Sequence, residues 1–103
     1  MIENDISAIL DAPVAGANAP TLAHIEELLT AGYGRAMEIE ADQWRLQRRI
    51  AEVAMKLADE HSDLRTAELK KLARRLKQAE ADLVHIRALL TSLRARANDT
   101  RAA

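Results

Sequence analysis

The stretch Leu57-Ala58-Asp59-Glu60-His61-Ser62-Asp63-Leu64-Arg65-Thr66-Ala67-Glu68-Leu69 separates two apolar stripes that differ in phase. Upstream, Ile39, Leu46, Ile50, Val53 and Leu57 step by 7, 4, 3 and 4, with Gln43 at the missing position. Downstream, Leu69, Leu72, Leu76, Ala79, Leu83, Ile86, Leu90, Leu93 and Ala97 alternate steps of 3 and 4 throughout. Such alternation is the 3.5-residue repeat of a helix with one partner-facing seam. The interval between the stripes is rich in residues that cap and turn.

If the chain reverses in that interval, residues that face each other have position numbers with a constant sum. Leu57 with Leu69 gives 126, Val53 with Leu72 gives 125, and Ile50 with Leu76 gives 126. Leu46 with Ala79, Gln43 with Leu83 and Ile39 with Ile86 continue at 125, 126 and 125. Any two heptad stripes can be aligned somewhere, so the sums do not decide alone. The alternative is one uninterrupted helix with a one-residue skip, pairing with a second molecule. Connections between packed helices are short and capped, which favours a hairpin closing near Ser62 and Asp63.

Charge points the same way. Residues 1–20 hold three acids and no bases, residues 21–62 eight acids and five bases, and residues 63–103 five acids and ten bases. A net charge of −1 thus conceals an acidic front and a basic back, and an acidic helix laid against a basic one gains from opposite potentials.

Composition sets the class. With 103 residues, of which 21 are alanine and two aromatic, the chain has little material for a globular core. Helix formers dominate and strand formers are scarce, which points to long helices or a coiled coil. There is no cysteine, so disulfides and thiolate metal sites are excluded. The start carries no basic cluster before an apolar segment, and no run approaches the roughly 18 apolar residues of a membrane span. The expectation is a soluble cytoplasmic protein that does not engage a membrane.

Working outward, residues 1–20 read as an N-terminal arm and linker, with a possible short helix at Asp5 to Leu10 ended by Pro13. Thr21 or Asn18 caps the helix that follows. Residues 98–103 read as a flexible tail. The expected hairpin spans 21–97, with one helix at about 21–60, a turn at about 60–63 and a second helix at about 64–97.

Gly32 and Gly34 offer two readings. Gly32 could end a helix, with residues 21–31 folding back as a third one. Extended past Ile39, however, the sum rule pairs Ala36 with Leu89 or Leu90, Gly32 with Leu93 and Leu28 with Ala97. A first helix that began at Arg35 would leave Leu93 without a partner. The adopted reading is a helix that runs through residues 32–34 or kinks there, at a propensity cost of about 1.5–2 kcal/mol relative to alanine.

The first helix also carries a second line. Tyr33, Met37, Trp44, Ala51 and Met55 are spaced by 4, 7, 7 and 4, and lie about 140° around the helix from the Ile39 to Leu57 stripe. The hairpin partner covers only one of these faces. Three occupants remain for the other: the arm with Ile2, Ile6, Ile9 and Leu10, a second copy of the chain, or a different protein.

Other constellations are weaker. Asp59, Glu60 and Asp63, with His61, form an acidic tip that could hold Mg²⁺ in the manner of transcript-cleavage factors, a likeness of shape without a shared motif. Polar residues that cap helices and stay hydrated explain it more simply. Lys70, Lys71, Arg74, Arg75 and Lys77 form a basic patch suited to phosphate contact, but no aromatic is interleaved for base stacking. The three histidines lack metal-ligand spacing, Gly32-Tyr33-Gly34-Arg35 lacks the Walker pattern, and no serine neighbours a base.

The resulting expectation is an all-α, coiled-coil-like antiparallel helical hairpin that completes a helical bundle by dimerisation or by packing of the arm. Its expected role is a non-enzymatic protein–protein interaction module, self-associating as a homodimer, with no cofactor and no metal. The alternative is a regulator bound to nucleic acid or a transcription complex through the basic second helix or the acidic tip.

Overall fold

A computed structural model describes residues 1–103 as three helices without strands: α1 (Ile2–Asp11), α2 (Leu22–Asp59) and α3 (Asp63–Ala102). Helices α2 and α3 pack as an antiparallel hairpin, so the all-α hairpin read from the stripes is what the chain forms. Each long helix is a single element, but residues pack into two compact units. One comprises Met1–Met37 with Val84–Ala103, and the other comprises Glu38–Leu83.

The two-helix unit follows the sum rule. Leu46, Val53 and Leu72 are buried, and Ile50, Leu69, Leu76 and Ala79 pack against them. Only three residues, Glu60, His61 and Ser62, lie between the helices. The Glu60 amide closes α2 onto the Lys56 carbonyl at 2.9 Å, and the Thr66 amide opens α3 onto the Ser62 carbonyl at 3.0 Å. Asp63 in the first turn of α3 places a carboxylate at the positive end of that helix.

The other unit contains a third helix. Ile6 and Ile9 of α1 are buried, as are Ile25 and Leu28 of α2 and Ile86, Leu90, Leu93 and Ala97 of α3. Burying each such branched side chain contributes about 1.5–3 kcal/mol before entropy is counted. The arm is therefore a ten-residue helix packed into a core, longer than the segment from Asp5 to Leu10 that the sequence suggests. It ends where Ala12, forced into an extended conformation ahead of Pro13, can no longer continue it. A turn with Gly16 at φ +101° and Ala19 N–H on the Gly16 carbonyl leads into α2. Thr21 caps α2, its Oγ1 accepting from the His24 amide at 3.1 Å.

Two sequence expectations are corrected, and one open alternative is closed. The helix passes Gly32 and Gly34 unbroken, but the α3 side chain nearest Gly32 is Leu90 and not Leu93. A Cβ at Gly32 would stand 2.6 Å from Leu90 Cδ2 and 3.3 Å from Ile6 Cδ1, so the missing side chain is space used by two others. A two-helix register need not hold where a third helix inserts. Residues 98–102 are helical and not a free tail, because Arg101 donates to Asn98 Oδ1 and to Glu26 Oε1, both at 3.0 Å, tying the last turn of α3 to α2. Of the three occupants considered for the Tyr33 to Met55 line, the arm is not the one: Ile6 packs beside Gly32, and Tyr33, Met37, Trp44 and Met55 stay exposed.

Candidate interaction face

Seam and outer line part company on α2 because a 100° step per residue puts them nearly on opposite sides. Val53 is fully buried and Leu46 is 8% exposed, whereas Trp44 is 71%, Met55 70% and Met37 69% exposed. Tyr33 is exposed by 42%, and Ala51 is also exposed. All five residues of the line therefore face solvent. Arg48, which borders Trp44, makes no ion pair within the chain.

The opposite flank of the two-helix unit holds a groove of about 460 Å³. Its floor is Leu46, Leu72 and Ala79, and its walls are Asp42, Arg45 and Arg49 from α2 with Arg75, Gln78 and Asp82 from α3. Most of these polar groups serve one another. Arg45 pairs with Asp42, and Gln78 donates to Asp82 Oδ1 at 2.8 Å. Arg49 bridges the helices through Nη2 on Glu68 Oε1 at 2.7 Å, with Glu52 Oε2 at 3.5 Å from Nη1. The hydrogen bond and the charge of Glu68 push the Arg49 pKa up, so the guanidinium holds its proton more firmly than usual. This bridge has its base on α2 and its acid on α3, the reverse of the net charges of the two segments. The groove was missed in the sequence, although its facing positions also keep a nearly constant sum, one to three below that of the seam: 42 and 82, 45 and 78, and 49 and 75 total 124, 123 and 124.

The remaining sequence candidates are dispersed. Lys70, Lys71, Arg74, Arg75 and Lys77 are all exposed, with Arg75 on the wall of the groove and Arg74 Nε donating to the Lys70 carbonyl. Asp59, Glu60, His61 and Asp63 are exposed at the turn. No three acidic or imidazole side chains converge closely enough to hold a metal ion. Asp59 is the last residue of α2 and Asp63 the first of α3. No helix is long and apolar enough to cross a membrane.

One polar residue was not anticipated. Arg96 is buried in the three-helix unit, 8% exposed. Its Nη1 donates to the Leu10 carbonyl at 3.3 Å and its Nη2 to the Ala12 carbonyl. These are carbonyls that the end of α1 leaves without intrahelical partners, at the negative end of that helix. At the other end of α1, Glu3 Oε1 accepts from Arg35 Nε at 3.5 Å. These polar contacts serve packing.

Comparison with known proteins adds no further constraint: no family model matches the chain, and neither a curated protein nor a solved structure is detectably similar to it.

Proposed function

We propose that this chain is a non-enzymatic interaction module, a helical hairpin that self-associates and acts as an adaptor, regulator or assembly factor through the outer face of α2. The supporting observation is the exposure of Trp44, Met37 and Met55 on one side of a helix whose other side is already packed. Tryptophan and methionine in that situation are interface anchors, because each removes a large apolar area from water when covered. The packed arm serves the core and leaves this face to another molecule.

The test compares wild type with Trp44→Arg by light scattering on a sizing column and by affinity capture. The expected result is that the variant keeps its helical content and loses association. If wild type neither self-associates nor retains any protein that the variant loses, the reading fails.

A further inference from the structure

We infer that the outer face of α2 pairs with the same face of a second copy, antiparallel, about a two-fold axis at Trp44; this rests on the interaction-module reading above and specifies the occupant. The first observation is the symmetry of the exposed line. Relative to Trp44, Tyr33 and Met55 lie eleven residues before and after, and Met37 and Ala51 lie seven before and after. An isologous interface requires that if residue i meets residue j of the partner, then j meets i. Antiparallel pairing centred on Trp44 meets this requirement at all five positions. Trp44 meets its copy, Met37 meets the partner's Ala51, and Tyr33 meets the partner's Met55.

Charge is the second observation, and it selects the direction. Within α2, residues before Trp44 include five acids and one base, and residues after it include four bases and two acids. The change of sign is abrupt: Glu38, Glu40 and Asp42 precede Trp44, and Arg45, Arg48 and Arg49 follow it. Parallel pairing would set acid beside acid and base beside base. Antiparallel pairing lays the acidic half of each α2 along the basic half of the other, the complementarity that steers and orients association. Glu40 and Arg48, four residues either side of Trp44, border the line at about 40°, while the others lie further round and contribute to the field.

The geometry also alters the expected assembly. A second copy that docks opposite α3 makes a row in which the two α2 helices are inner and the two α3 helices outer, in place of four helices around one core.

The test exploits a chain that contains no cysteine. Met37→Cys and Ala51→Cys are made separately in the full chain and oxidised alone and as an equimolar mixture, alongside sedimentation of wild type. Expected are a wild-type dimer, no covalent dimer from either variant alone, and a disulfide-linked heterodimer from the mixture. Trp44→Ala weakens dimerisation by roughly thirty-fold or more, the scale of a central anchor. Arg48→Glu weakens it by about two- to five-fold, the scale of an exposed charge pair, with the effect reduced at high salt. Covalent dimers of Met37→Cys alone would overturn the orientation. A wild type that stays monomeric, with proteins captured in a Trp44-dependent way, would overturn self-pairing and leave the module reading standing. Monomer without Trp44-dependent capture would overturn both.

Discussion

The two units use the same pair of helices and bury them to different degrees. Among Met1–Met37 and Val84–Ala103, three helices meet, and Ile6, Ile25, Ile86 and Leu93 reach complete burial. Among Glu38–Leu83, two helices meet, Val53 alone is fully buried, and Ile50, Leu69, Leu76 and Ala79 keep part of their surface in water. Two helices can enclose only the line where they touch. A third helix closes the open side and converts a seam into a core, which even accommodates a guanidinium. The two-helix unit instead flanks its seam with charged walls and carries Trp44 and Met55 exposed.

Leu93→Ala should be the most damaging simple truncation, at about 3–4 kcal/mol, because the enclosed site cannot collapse; Leu72→Ala, at the more open seam, should cost about 2–3 kcal/mol. Denaturant midpoints followed by circular dichroism at one protein concentration would check the order, and equal losses would erase the contrast. Arg96→Met comes next. Losing two hydrogen bonds from a charged donor should cost about 2 kcal/mol and loosen α1. Hydrogen exchange would show faster α1 amides and little change within residues 38–83.

A finer contrast lies two residues apart on α2. Gly34 has nothing within 4 Å of where a Cβ would stand, so Gly34→Ala should stabilise by about 0.5–1 kcal/mol through helix propensity. Gly32→Ala would gain the same propensity but press on Leu90, which is 3% exposed, and on Ile6, which is fully buried. Overpacking should turn the net effect into a loss of about 1 kcal/mol. Thermal melts of the pair that moved in the same direction would refute the packed environment of Gly32. The smallest effect belongs to Arg49→Ala, which removes an exposed bridge to Glu68. It should shift the melt slightly, and by less still in high salt.

What could be read in advance was the part governed by period and pairing. The stripes from Ile39 to Leu57 and from Leu69 to Ala97 predict the hairpin, its turn and the seam around Val53 and Leu72, because two helices in contact obey one register. The same arithmetic was wrong at Gly32, where Ile6 enters from a segment 26 residues away and no pattern in α2 or α3 announces it. Ile2, Ile6, Ile9 and Leu10 suggest a helix but not the face to which it docks. Arg96 looks like any arginine beside a seam. Its role depends on the end of α1 arriving next to it, a fact of tertiary structure that spacing along one helix does not encode. The exposed line from Tyr33 to Met55 was legible because it is periodic, and its symmetry about Trp44 was already present in its steps of 4, 7, 7 and 4.

The position of the single tryptophan has a spectroscopic consequence. Trp44 is 71% exposed and belongs to neither core. In a dilute, monomeric sample the fluorophore stands in water before and after denaturation, so its emission should barely move while the helical dichroism disappears. Concentrating the protein should shift that emission to shorter wavelength with no change in dichroism. The chain thus carries an optical reporter that is nearly blind to its folding and sensitive to whatever covers α2.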